Sequence, residues 1–159
     1  MDFLLEENKL LLAKLLEKGV EFILVGGYAV NYHGYNRGTS DMDILVRPSN
    51  ENKIKVLEAL MEQGFDEEDL ADIKSADFSG YFVFSMWEEP YKVDFLTRIS
   101  GVNFDEAWEQ KVFLPLNNYQ VPVLHLHHLV LSKISNGRLQ DKADVDQLQK
   151  IQAFKKGKP

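Results

Sequence analysis

The chain has 159 residues, 45% of them apolar and 11% aromatic, with 25 Asp plus Glu against 18 Lys plus Arg for a formal charge of −7. That composition supports a packed core and excludes a disordered chain, and the length fits a single domain over residues 1–159. The absence of Cys excludes disulfides, zinc–thiolate sites and a thiol nucleophile. The acid surplus argues against an indiscriminate nucleic-acid binder, and no apolar run approaches the roughly 18 residues of a membrane span. With no basic start at Met1-Asp2-Phe3, the expectation is a soluble, cytoplasmic protein with no membrane partner.

In chain order, Leu4, Leu5, Leu11, Leu12, Leu15 and Leu16 predict a helix over 2–18, capped by Asp2 and ended by Gly19. A short β-rich run over 20–25 stops at Gly26-Gly27, and a brief helix is expected over 28–33. Residues 41–47 read as a second strand closed by Pro48, with Ser49 capping a helix over 50–63. Acidic 66–72 reads as a solvated connection or short helix. Residues 81–86 and 92–96 read as adjacent strands around Glu88-Glu89-Pro90, and 103–110 as a short helix. Residues 112–116 and 120–124 predict a hairpin around Asn117-Asn118, and 127–154 a helical end broken near Asn136-Gly137. The core is expected over about 20–125 and C-terminal helices over about 126–154. Together these predict an α/β (α+β) fold, a mixed β-sheet with flanking helices.

Three features carry chemistry. Gly26 and Gly27 end a strand, and a loop without Cβ atoms can bring backbone N–H groups against a phosphate or can be an ordinary tight turn. Asp41 and Asp43 stand two apart in a strand, so both carboxylates point to one face about 7 Å apart. Such a pair suits a divalent cation, or marks a solvated strand start. Asp94 interrupts the apolar run Val93-Asp94-Phe95-Leu96, where a carboxylate needs an ion, a partner such as Arg98 or a Lys, or an edge facing water. The three acids together are suited to two Mg2+ ions of the kind that serve phosphoryl-type transfer.

In this order the motifs resemble the polymerase-beta-type nucleotidyltransferase superfamily: a strand, Gly-Gly, a spacer, Asp-x-Asp, then a third strand-borne Asp. Thirteen residues separate Gly27 from Asp41. The chain is most similar to small bacterial stand-alone members, including abortive-infection-type toxins and antibiotic nucleotidyltransferases. Those show Gly-Gly-Tyr-Ala, then Arg-x-Thr-x-Asp-x-Asp, matched here by Arg37, Thr39, Asp41 and Asp43. They often end with a Lys and Arg-x-x-Asp-x-x-Asp, matched by Lys133, Arg138, Asp141 and Asp144.

The resemblance implies the polymerase-beta-like nucleotidyltransferase fold and an Mg2+-dependent transfer of a nucleoside monophosphate from a nucleoside triphosphate to a hydroxyl, releasing pyrophosphate. It implies Asp41, Asp43 and Asp94 as catalytic metal ligands, Asp94 also as general base, and Gly26 and Gly27 as the phosphate cradle. Arg37 would pair with a phosphate, and Thr39 would orient the Asp loop or simply begin the strand. Lys133 and Arg138 either reach the triphosphate or form a solvated helix end with Arg138 paired to Asp141, and Asp141 and Asp144 read as structural. The acceptor is a small molecule, a protein or RNA; since larger relatives read theirs with a second domain, either the acceptor is small or a homodimer or a partner protein supplies the missing wall. A toxin-like activity would be neutralised by a partner protein, as in toxin–antitoxin pairs. The alternative is a non-catalytic nucleotide-binding or partner-binding module on the same fold. His125, His127 and His128 alternate with leucines and read as a strand-to-helix junction before metal ligands. Trp87, Tyr91 and Trp108 read as core or rim aromatics.

Overall fold

A computed structural model describes residues 4–36, 38 and 41–156. Helix α1 (Glu6–Glu17) buries Leu11, Leu12 and Leu15, one stripe at helical spacing. It begins after Leu5, later than the sequence suggests, and Asp2 lies outside the described residues. Strand β1 (Phe22–Val25) is buried at every position. Helix α2 (Gly26–Tyr32) follows with no intervening loop, so the glycine pair is the helix start itself. Strand β2 (Met42–Val46) runs back antiparallel to β1. Helix α3 (Asn50–Glu62) follows, with the Ser49 hydroxyl accepting the Asn52 N–H as its cap.

After the short helix α4 (Ala71–Ser75), β3 (Val83–Met86) and β4 (Val93–Leu96) form an antiparallel pair. Their connection includes a cis Glu89–Pro90 bond. Helix α5 (Phe104–Gln110) is capped by the Asn103 side chain. The hairpin β5 (Val112–Leu116) and β6 (Tyr119–Val123) leads into α6 (Leu126–Asn136) and α7 (Leu139–Lys156). The six strands lie in the order β3-β4-β2-β1-β6-β5, with β2–β4 and β1–β6 parallel and the other neighbours antiparallel. A mixed sheet flanked by helices is therefore the observed architecture, as the alternation of patterns predicts.

Alternation along β2 decides where the site lies. Met42, Ile44 and Val46 are buried, and Asn8 of α1 reaches the Met42 sulfur, so α1 covers that face. Asp43 is on the other face. There the sheet looks toward the end of α6 and the start of α7, leaving a cavity of about 550 Å³ whose walls include Asp43, Asp94, Ser132, Lys133 and Arg138. Among the described residues no helix is long and apolar enough to cross a membrane.

Candidate active site

Register brings the functional residues into one row. Val25 on β1 pairs with Asp43 on β2, Asp43 with Asp94 on β4, and Asp94 with Ser85 on β3. Laterally paired residues point to the same face with strands about 4.8 Å apart, so Asp43 and Asp94 stand side by side although 51 positions separate them. The Ser85 hydroxyl donates to Asp94 Oδ1 at 2.5 Å. Gly26, next after Val25, closes the inner end, and a Cβ built there would lie 2.2 Å from Asp43 Oδ2. Its φ of +64°, costly for any residue with a side chain, turns the strand directly into α2.

The electrostatics of the row are those of crowded acids. Burial pushes the Asp43 carboxyl up to about 7, and the neighbouring Asp94 and Asp41 charges add to the effect. Asp41 stands just before β2 and is engaged at the strand end: Lys92 Nζ is 3.5 Å from its Oδ2, and its carboxyl meets that of Glu89. Lys92 is also 3.8 Å from Asp94 Oδ1, and these two acids hold its ammonium above the usual range. The Tyr28 phenol of α2 is raised too, by burial and then by Asp41, Glu89 and Asp43.

Lys133 and Arg138 line the same cavity from the helical side. Lys133 Nζ lies 3.3 Å from Asp141 Oδ1 and 3.2 Å from Asp144 Oδ2, both carboxylates fully buried. Arg138 donates to Asp141 through Nε and an NH2 group, and Gln140 donates to Asp144. Burial works against the Asp141 charge, yet Arg138 and Lys133 hold its carboxyl below the ordinary range. Arg138 is exposed and paired with Asp141, as one of the two readings expected, whereas Lys133 is buried between Asp141 and Asp144 instead of lying at a solvated helix end; both border the cavity.

Gly26, Asp43, Asp94, Lys133 and Arg138 are gathered around one cavity; Gly27 is buried in α2, and Asp41 is paired with Lys92 of the cavity lining. Arg37 and Thr39 lie outside the described residues. Arg98 does not pair with Asp94; it donates to the Ser79 carbonyl. His125 caps α6 by accepting the His127 N–H, as expected of a junction. Residues that sequence reasoning passed over are Ser85, Lys92, Glu89 and Tyr28. The signal for Lys92 was its place two before Asp94 on one strand face, and for Ser85 the hairpin register about Glu88-Glu89-Pro90.

As the side chains stand, no three His, Asp or Glu residues among the described ones gather closely enough to hold a metal ion. The Asp43–Asp94 pair nevertheless fits a divalent cation. It offers hard oxygen donors at adjacent register positions, and the nearest helical cation, Lys133, is already neutralised by Asp141 and Asp144. The donor set is therefore two acids in place and a third, Asp41, turned to Lys92.

Six chains of known structure match the fold. One is an antigenic nucleotidyltransferase-like protein from Paracoccidioides brasiliensis, at 12% identity and a TM-score of 0.52, over 90% of this chain and 72% of that one. At that identity the likeness speaks for the fold, which is nucleotidyltransferase-like. None of the curated proteins compared matches the sequence. Residues 5–158 match the model of a family described as nucleotidyl transferase of unknown function (DUF2204), and the chain belongs to that family.

Proposed function

We propose that the protein is an Mg2+-dependent nucleotidyltransferase, moving a nucleoside monophosphate from a nucleoside triphosphate to a hydroxyl acceptor with release of pyrophosphate. The observation that carries this reading is the row Ser85–Asp94–Asp43–Gly26: two like-charged, partly buried carboxylates beside a backbone position that tolerates no side chain. A purely structural role leaves that juxtaposition unexplained, because buried like charges destabilise a fold.

Asp43 and Asp94, joined by Asp41 once it leaves Lys92, would hold Mg2+, which supplies charge compensation for the phosphates and for the developing negative charge. Asp94 takes the proton of the acceptor hydroxyl, its carboxylate oriented by the Ser85 hydrogen bond. The Gly26 and Gly27 N–H groups approach the phosphates where no Cβ intervenes. Lys133 and Arg138 face the triphosphate charge from the helical wall. Arg37 and Thr39 are assigned to phosphate binding and to support of the Asp loop on the family resemblance alone. A homodimer and a neutralising partner as in toxin–antitoxin pairs belong to the same resemblance, while a cytoplasmic setting is the expectation drawn from composition.

Isothermal titration with each nucleoside triphosphate, with Mg2+ and then with a chelator, tests the site. Metal-dependent binding abolished by Asp43→Asn supports it, and equal binding by the variant contradicts it. Tight binding with no transfer to any acceptor would favour a non-catalytic nucleotide-binding module.

A further inference from the structure

The two ends of the row differ in chemistry. Gly26 and Gly27 occupy the inner end, where β1 runs into α2. At the outer end β3 is an edge strand, and the cavity wall beyond Ser85 and Asp94 is apolar: Tyr81, Val83, Leu96 and Ile99. Val83 pairs with Leu96, one two-residue step of about 7 Å from the Ser85–Asp94 pair. Tyr81 and Val83 are 69% and 41% exposed, large apolar side chains left open on a surface beside buried acids. No basic side chain is among these four. Lys92 lies on the opposite side of Asp94 along β4, Lys133 and Arg138 belong to the helical wall, and Arg98 is turned to the Ser79 carbonyl.

The geometry points to this shelf as the acceptor site, and to an acceptor that is a small apolar or aromatic hydroxyl compound. The inference rests on the transfer reading above. In phosphoryl-type transfer the attacking and leaving oxygens are roughly in line. With the β and γ phosphates over Gly26 and Gly27, pyrophosphate departs toward β1, and the attacking hydroxyl comes from the β4–β3 side. The acceptor oxygen forms a bond to the α-phosphorus while the bond from that phosphorus to the bridging oxygen of the β-phosphate breaks. Pyrophosphate leaves with the bond electrons, and the hydroxyl proton passes to the Asp94 carboxylate. The rest of the acceptor then lies along Val83 and Leu96 under Tyr81. An RNA end would bring further phosphates onto this surface, where none of the four described side chains of the shelf is a cation, and phosphate contacts dominate nucleic-acid affinity. An aromatic body instead gains from covering exposed Tyr81 and Val83.

The test uses the full chain with Mg2+, α-labelled nucleoside triphosphates and three acceptor probes: N-acetyltyrosinamide, glycerol and an RNA oligonucleotide with a free 3′ hydroxyl. Expected are label on N-acetyltyrosinamide and NMR shifts of the Val83 and Leu96 methyls as that probe is added. The double variant Tyr81→Ser, Val83→Ser raises the KM for the probe about tenfold, the loss expected from one apolar contact patch, and leaves triphosphate affinity unchanged. Both positions are exposed, so the fold is retained. Label on RNA with no effect of the double variant overturns the shelf while leaving the transfer reading intact. Absence of methyl shifts and of label on the probe overturns it as well. Methyl shifts with no transfer to any acceptor would keep the shelf as a phenol-binding surface and overturn the transfer reading instead.

Discussion

Gly26 and Asp43 occupy complementary space: a Cβ at Gly26 would stand 2.2 Å from Asp43 Oδ2 and 3.0 Å from its Cβ and Cγ. The missing side chain at the start of α2 is what allows the carboxylate on β2 to face the cavity. Gly26→Ala therefore strains the backbone at φ +64° and drives Asp43 from its place. Gly19 has φ +74° but open space around it, so Gly19→Ala shows the backbone cost alone, about 1–2 kcal/mol. We predict that Gly26→Ala lowers nucleotide affinity at least tenfold, and that Gly19→Ala leaves it unchanged. Calorimetric titration alongside thermal melts separates the two.

The acid row is expected to cost stability. With metal chelated at pH 8, Asp43 is held beside Asp94 with its charge disfavoured by burial and by that neighbour. Asp43→Asn then relieves the repulsion, and the variant melts higher by about 4 °C or more. Calorimetric melts in chelator check the sign; a lower melting temperature would mean that the carboxylate itself holds the strands.

Lys133, Asp141 and Asp144 form the opposite case, a buried cluster whose two carboxylates are matched by Lys133 and by Arg138 at its edge. Asp144→Ala removes one of the two buried carboxylates that hold Lys133, and Lys133→Ala takes the ammonium shared by Asp141 and Asp144 away from both. Each is expected to cost about 3–5 kcal/mol. Arg138→Ala should cost much less, since that guanidinium is largely exposed. Urea unfolding of the three variants provides the ranking.

His33 supplies a pH dependence of stability. Burial holds its imidazole down at about 4, and it is neutral with Nε2–H donating to the Leu124 carbonyl at 2.7 Å. The unfolded chain takes up this proton near pH 6.5 and the folded chain only near 4. Stability is therefore full above 6.5 and falls as pH drops toward 4, by about 3 kcal/mol for this group. His125 and His128, also lowered by burial, add slope in the same direction. His33→Gln should flatten the profile measured by denaturant unfolding between pH 7 and 4.5.

Much of this architecture is legible in the sequence because its signals are local. The Gly-Gly and Asp-x-Asp strands, the Ser49 and Asn103 caps, and the helix break at Gly137 each follow from a few neighbouring residues. The start of α2 is missed because glycine is a poor helix former, whereas Gly26 here is the turning residue and Gly27 already belongs to the helix. The acidic stretch at 66–72 reads as a solvated connection or short helix; its end enters α4, but Leu70 within it is fully buried, and Asp66 and Asp69 bond each other's backbone N–H. The pairing of Asp43 with Asp94 needs the order of strands, which no local pattern carries. The capture of Lys133 by Asp141 and Asp144 appears only once α6 and α7 fold back on each other.

The central claim is that this acidic row transfers a nucleoside monophosphate. It is tested most directly by incubating the chain with Mg2+, a hydroxyl acceptor mixture and triphosphate labelled in parallel at the α or the γ phosphate. The account predicts α label on an acceptor, γ label in pyrophosphate, and loss of both products in Asp94→Asn. Label from the γ position on the acceptor, or undiminished α transfer by Asp94→Asn, would contradict it.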